Sequence, residues 1–263
     1  MKKIIFMMLA LVLVANEAMA FVAFGHETIA ALADKHMTDN AKKEVKAILG
    51  TDMYKVSSWL NTLRKKEGLE HSKHWHFFNL DENGKSTTTK ENDGVVQIEK
   101  AVAVLRNRAA EKDSLVQASL KTIIHLVGDL HCLSHIRIDG VEESKGFRFY
   151  HWNEQEGKNR RDWNSQWYNH WEKGYLGRYN IFSPQYYGDD IDIYARDKKA
   201  EYEKGTPRFW AENMGEDVMR TLEVYKVEEI VPTQTIQTYE LLHTKCMAKA
   251  SYRLAALLND IFK

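Results

Sequence analysis

Apolar positions recur at spacings of three and four along most of the chain, so helices dominate the expected fold. A first helix is expected near Gly25, carrying Ile29, Ala30, Ala33 and Met37. Thr38 and Asp39 are N-cap residue types and Gly50 is a helix stop, which together bracket a second helix. Ser57 opens a third through Trp59, Leu60 and Leu63. Residues 95–110 are amphipathic, with Val96, Ile98, Val102 and Leu105 as their apolar positions. Residues 114–135 read as one long apolar helix, and 207–226 as another, opened by Pro207 at an N1-like position. A last helix spans roughly 235–261 and ends in Leu254, Leu257, Leu258 and Ile261. Two stretches break the period. Residues 136–162 are rich in Gly and charge, and Phe147, Phe149 and His151 alternate as in a strand, so a hairpin or loop is expected there. Residues 176–195 are aromatic and Gly-containing and read as a loop. The expected architecture is all-α, a single helical domain with a short β-hairpin or loop insertion.

The chain has 263 residues, 44% of them hydrophobic and 28% charged, which is the balance of a globular protein. Lys plus Arg and Asp plus Glu both number 37, so no polycationic surface exists to bind nucleic acid by counterion release. A phosphate-bearing substrate has to be held by a local charge, such as a metal. The first 20 residues read as a signal peptide: Lys2 and Lys3, an apolar run from Ile4 to Val14, then a small-x-small site at Ala18-Met19-Ala20. That run is short for a permanent anchor. The expectation is export to the periplasm or beyond, without stable membrane association, by cleavage after Ala20. Residues 21–263 then form one domain beginning at Phe21. Cys132 and Cys246 are the two thiols, free or paired.

Three sequence features carry candidate chemistry. His125 and Asp129 stand four apart, so they share one face of an otherwise apolar helix. Burying an unpaired imidazole and carboxylate there is costly, and either a metal or a hydrogen-bonded His–Asp pair removes the cost. His135 follows six residues after Asp129. The second feature is the cluster His71, His74 and His76 ahead of Phe77-Phe78-Asn79, which suits a pocket wall at His76 and a solvated surface at His71 and His74. The third is Gly25-His26, five residues after the predicted cleavage point. A free α-amine and its own carbonyl can chelate an ion that His26 also binds.

Taken together, the ordered motifs Phe21-x-x-x-Gly25-His26, Ser58-Trp59-Leu60-Asn61-x-x-Arg64, Trp75-His76-Phe77, His125-x-x-Gly-Asp129 with His135, and Tyr252-Arg-Leu-Ala-x-Leu-Leu-Asn259 resemble the zinc-dependent single-strand-specific nucleases of fungi and plants. These are relatives of the zinc-dependent bacterial phospholipases C. The resemblance runs from Phe21 to about Phe262. It implies a helical fold around three zinc ions, with a close pair bridged by Asp129. One ion of the pair would take Asn61, His76 and His125. The other would take the Phe21 amine and carbonyl together with His26. The third would take His135 and two residues further on. The implied activity is hydrolysis of single-stranded DNA or RNA to 5′-nucleotides, with 3′-phosphate removal in some members. The resemblance places Asp129 and Arg64 in the catalytic machinery. Phe77 and Asn79 fall where the family stacks and hydrogen-bonds a base.

The chain departs from that pattern. Asn61 replaces an aspartate, and a neutral amide is the poorer zinc ligand. In the segment Asp162-Trp163-Asn164-Ser165-Gln166-Trp167-Tyr168, Asn164 and Tyr168 stand where the third ion's His and Asp belong. The expectation is two zinc ions at reduced affinity and a weak or absent third, with Asp162, His131, His151 or His170 as conceivable substitutes. Phe77 suits either a base-stacking surface or the core. Three functions compete: an active phosphodiesterase, a catalytically impaired protein that binds nucleic acid or nucleotides, and a phospholipase C-like lipase. The last has no specific support in the motifs.

Overall fold

In a computed structural model, residues 20–151, 162–166, 170–171, 183–227, 229–231 and 233–263 are described. The fold is predominantly helical with small β elements, as the apolar periodicity predicts. Helix α1 spans Ala20–His36 and α2 Asp39–Leu49. The Thr38 hydroxyl accepts from the Ala41 amide, and Gly50 ends α2 in a left-handed conformation at φ 67°. Helix α3 is a short turn, Trp59–Leu63, and α4 covers Gly94–Arg106. Asp93 caps α4 by accepting from the Val95 amide.

Helix α5, Asp113–Leu130, organises the molecule. Every residue from Thr122 to Leu130 is buried, and α1, α2, α3, α4, α8 and α9 all touch it. A helix buried all round belongs to the core, and Leu120, Leu126 and Leu130, each withdrawn fully from water, contribute roughly 1.5–3 kcal/mol apiece. The remaining helices are α6 (Pro184–Ala195), α7 (Lys199–Tyr202), α8 (Pro207–Leu222) and α9 (Thr233–Ile261). Among the described residues no helix is long and apolar enough to cross a membrane.

Two small sheets complete the fold. Strand β1 (Phe78–Leu80) pairs in parallel with β2 (Ile136–Ile138), in the register Phe78–Ile136, Asn79–Arg137 and Leu80–Ile138. Strand β3 (Arg148–His151) lies between β4 (Asp162–Gln166), antiparallel to it, and β5 (Ile230–Val231), parallel to it. The aromatic alternation in the sequence therefore marks a real strand, with Phe149 fully buried.

The helices expected over 95–110 and 207–226 end four residues early, at Arg106 and Leu222, and two other differences are larger. The helix expected over 114–135 stops at Leu130: the His131 ring donates from Nδ1 to the Val127 carbonyl at 2.7 Å, and Cys132 turns extended. His135 thus sits in a separate turn, Leu133–His135, which leads into β2. The loop expected over 176–195 is helix α6 from Pro184 onward, while 176–182 lie outside the described residues. Gly188, which suggested a loop, lies inside this helix and against α1, where an added Cβ would make an ordinary contact with Leu32 Cβ at 3.4 Å. Cys132 and Cys246 form no disulfide with each other.

Candidate metal centre

Asp129 lies one turn after His125 on α5 and is almost wholly enclosed by imidazoles. Its Oδ1 is 3.2 Å from His26 Nε2 and 3.7 Å from His135 Nδ1. Its Oδ2 is 2.7 Å from His76 Nδ1 and 3.1 Å from His125 Nε2. None of the five side chains is more than 8% exposed. They come from four places in the chain: α1, the residue pair before β1, α5, and the turn after α5.

Local packing fixes each ring. His26 and His125 stack with centroids 4.0 Å apart, and His76 stands edge-on to His125 at 4.9 Å. Gly128 makes room for this on the α5 surface, because a Cβ there would meet His26 Nδ1 at 2.6 Å. His125 Nδ1 donates to the Ser57 carbonyl at 2.7 Å, which ties the approach to α3 onto the cluster. His135 Nδ1 donates to the His76 carbonyl at 2.6 Å. Backbone carbonyls acting this way select the ring tautomer and leave Nε2 as the electron-pair donor.

The electrostatics follow from that geometry. Burial alone would push the Asp129 carboxyl up, but His125, His135 and His76 outweigh it and hold Asp129 well below the ordinary carboxylate range. The site therefore keeps one anion in the core. In a neutral His125, the Nε2 lone pair faces a carboxylate oxygen 3.1 Å away, an arrangement that requires a cation or proton between them. His76 Nε2 is buried with no hydrogen-bond partner among the described residues, a cost of roughly 1–3 kcal/mol if it stays so. His26, His125 and Asp129 offer ligand atoms that all lie within 4.8 Å of one another. Buried imidazole nitrogens converging with a carboxylate are the donor set of zinc and similar cations, so the residues fit a metal ion.

The model of the S1/P1 nuclease family matches residues 21–263. The chain belongs to that family. No curated protein matches it. Membership and the His26–His125–Asp129 triad support metal-dependent nuclease chemistry for this S1/P1-type chain.

The other positions singled out in the sequence sit as follows. Phe21 lies in the first turn of α1. Asn61 is half-buried in α3, and Arg64 is half-buried at its end. The Arg64 guanidinium makes no hydrogen bond or ion pair among the described residues. Phe77 is half-buried rather than a core residue; it stacks on His135 with centroids 5.5 Å apart and carries the Arg137 guanidinium 3.5 Å above its centroid. Asn79 is fixed by Asp93, whose Oδ2 accepts from both its backbone and side-chain nitrogens at 2.9 Å. His71 and His74 are exposed.

Asn164 lies in β4, its side chain outside the described set, and Tyr168 lies outside the described residues, as do the side chains of His151 and Asp162. His131 faces Arg253 and His170 bonds to the Tyr225 hydroxyl at 3.2 Å, so both serve the packing of other elements. The sequence reading missed the Ser57 carbonyl and Arg137. A backbone carbonyl has no residue signature, and a lone arginine in a charged stretch has no periodic one.

Proposed function

We propose that the protein is an exported zinc-dependent phosphodiesterase acting on single-stranded DNA or RNA and releasing 5′-nucleotides. One observation carries this reading: the two Asp129 oxygens are divided, Oδ1 toward His26 and Oδ2 toward His76 and His125. A carboxylate divided this way would offer one oxygen to each of two cations. His76 and His125 would hold one, with Asn61 as a further donor. His26 would hold the other, with the amine and carbonyl of Phe21 once cleavage after Ala20 frees that amine. His135 would face a third, weaker site that Asn164 and Tyr168 do not complete. Zinc bound here lowers the pKa of a coordinated water and neutralises charge developing on the phosphate oxygens.

The chain's own groups supply the rest. Asp129 stays ionised and orients the imidazoles. Arg64, half-buried at the end of α3, would give paired N–H donors to a phosphate oxygen. Asn79, held by Asp93, keeps its side-chain oxygen available to a base edge.

The substitutions at Asn61, Asn164 and Tyr168 favour a second reading, in which the fold binds nucleic acid or nucleotides and turns over poorly. Metal analysis of protein beginning at Phe21, paired with a single-stranded DNA cleavage assay, separates the two. The enzyme reading requires at least one zinc per chain and cleavage abolished by chelator. Less zinc than that overturns it. Zinc with binding but no cleavage supports the second reading. The combined change Asn61→Asp, Asn164→His and Tyr168→Asp then raises both metal content and rate.

A further inference from the structure

The chain leaves the metal centre after Ser57, whose carbonyl accepts from His125, and returns to it at His76, 2.7 Å from Asp129. The excursion between them folds back on itself. Gly68, left-handed at φ 79°, reverses the chain, and the Leu69 amide donates to the Lys66 carbonyl at 3.0 Å across the bend. The returning turn, Glu70–His74, packs against α3. Both ends are thus tied to the centre, and the bend is exposed from Lys65 to Gly68.

The charge on this excursion is one-sided. Arg64, Lys65, Lys66 and Lys73 stand against Glu67 and Glu70, while the whole chain sums to zero. Several exposed lysines elsewhere close local ion pairs: Lys46 and Lys55 with Asp52, Lys85 with Glu212, Lys100 with Glu91. Lys66 and Lys73 are exposed and meet no carboxylate among the described residues. Glu70 accepts from the Gly68 amide at 3.2 Å, which directs that carboxylate to the bend rather than to either lysine.

We propose that this excursion is a second contact surface for single-stranded nucleic acid, on which Lys66 and Lys73 hold phosphates beyond the one at the metal centre. This rests on the nuclease reading above and deepens it, because the preferred substrate becomes a strand of several nucleotides rather than a mononucleotide. With no net charge on the chain, affinity for a polyanion depends on a few placed cations, each releasing counterions from the strand. The ties at Ser57 and His76 fix these cations relative to the centre, so a strand held there extends within their reach. A lysine ammonium on its flexible stem meets phosphate as a point charge and reads no base. The excursion therefore adds affinity and a preference for length without a preference for sequence.

The test measures binding of a labelled phosphorothioate oligothymidylate, about 12 nucleotides long, to zinc-loaded protein beginning at Phe21, by fluorescence anisotropy across a salt series. A labelled dinucleotide of the same backbone is measured beside it. The unaltered protein prefers the long strand. Lys66→Gln combined with Lys73→Gln weakens long-strand binding roughly tenfold and lowers the slope of log affinity against log salt by about 1.4, two phosphate contacts at about 0.7 each, with zinc content and dinucleotide binding unchanged. Lys66→Arg combined with Lys73→Arg keeps the slope, because the charge is what acts. Unchanged affinity and slope in the Gln variant overturn the proposal and leave the nuclease reading intact, provided the unaltered protein binds zinc and cleaves. Equal weakening of the dinucleotide also overturns it, by moving the lysines to the metal centre. Binding to phosphatidylserine vesicles that the Gln variant loses, with strand binding unchanged, overturns it in favour of an anionic membrane surface. If the combined Gln variant fails to fold, the single changes decide: each lowers the slope by about 0.7, and no change in either overturns the proposal. Zinc-loaded unaltered protein that binds neither strand overturns this proposal and the nuclease reading together.

Discussion

Arg253 Nη1 lies 2.8 Å from His131 Nε2, which ties the last helix to the residue that ends α5, two positions after Asp129. The ring's other nitrogen donates to the Val127 carbonyl, so Nε2 accepts from the guanidinium. Burial and the adjacent Arg253 charge hold the His131 pKa well below its usual value, and the ring is neutral at physiological pH. Arg253 also donates to the Tyr202 carbonyl at 2.9 Å and to Asn213 Oδ1 at 3.2 Å. The Tyr252-to-Asn259 motif therefore works as a clasp. Tyr252 donates to Asp192 of α6, and Asn259 Oδ1 accepts from the Thr38 amide at 2.7 Å at the start of α2.

Removing the Arg253 fork strips His131 Nε2 and the Tyr202 carbonyl of their donors, while Asn213 Oδ1 keeps the one from Lys249. Each bond to a charged donor contributes about 1.5–3 kcal/mol, and the losses are not fully additive. Arg253→Met is expected to destabilise the protein by about 3 kcal/mol in urea unfolding. Arg253→Lys recovers only part of this, because one ammonium cannot reach all three acceptors. An unfolding midpoint unchanged in Arg253→Met would show that the clasp does not hold α5.

Gly128 carries a different kind of constraint. In a helix, Gly→Ala is expected to add about 1 kcal/mol of helix propensity. Here the new Cβ would lie 2.6 Å from His26 Nδ1, in a ring that is fully packed. Gly128→Ala should push His26 away from Asp129 and lower zinc retention on dialysis, while α5 stays helical by circular dichroism. Normal zinc retention in that variant would mean His26 has room to move without leaving the centre.

These relations show what was legible in the sequence. His125 and Asp129 declare themselves, since a four-residue spacing on an apolar helix puts both on one face. His26 and His76 have no local geometry that points to Asp129, and only their place in an ordered set of motifs did so. The β1–β2 pair was invisible because three-residue strands offer too few positions for a period of two to register. Helix α6 was hidden by Gly188, which sits mid-helix against α1. The end of α5 was hidden because a side chain, His131, takes the carbonyl that continued helix would have used. Arg253 and His131 are 122 residues apart, and nothing local predicts their contact.

Asp192 and Tyr252 make stability depend on pH from both directions. Burial pushes the Asp192 carboxyl up, but the Tyr252 hydroxyl at 2.8 Å and the His36 ring at 2.7 Å outweigh it and leave the pKa lowered. A lowered carboxylate stabilises the fold above its unfolded value, and that contribution is lost as pH falls through the folded value. Burial and the bond to Asp192 raise the Tyr252 phenol, whose contribution is present below the ordinary phenol value and lost as pH rises through the folded one. Thermal midpoints measured against pH should show Asp192→Asn less stable at neutral pH, with the gap closing below about pH 4. The gap for Tyr252→Phe should close above about pH 10. Parallel curves for either variant would remove that residue from the linkage.

Asn61→Asp tests the charge balance of the metal centre directly. Asp129 is the one carboxylate among the five side chains gathered there, and a neutral amide at position 61 contributes no charge to offset a divalent ion. A second carboxylate strengthens metal binding, and each tenfold gain corresponds to about 1.4 kcal/mol. Under the ligand assignment proposed above, the same change sets a second carboxylate near Asp129 when no metal is bound, which disfavours ionisation of one of them. The variant should therefore melt lower than the parent in chelator and higher than the parent in saturating zinc, because a ligand that binds only the folded state stabilises it. Competition against a chromophoric chelator should show at least about tenfold tighter zinc binding. If both melting curves move in the same direction, or zinc affinity stays the same, Asn61 lies outside the coordination shell and its side chain serves α3 alone.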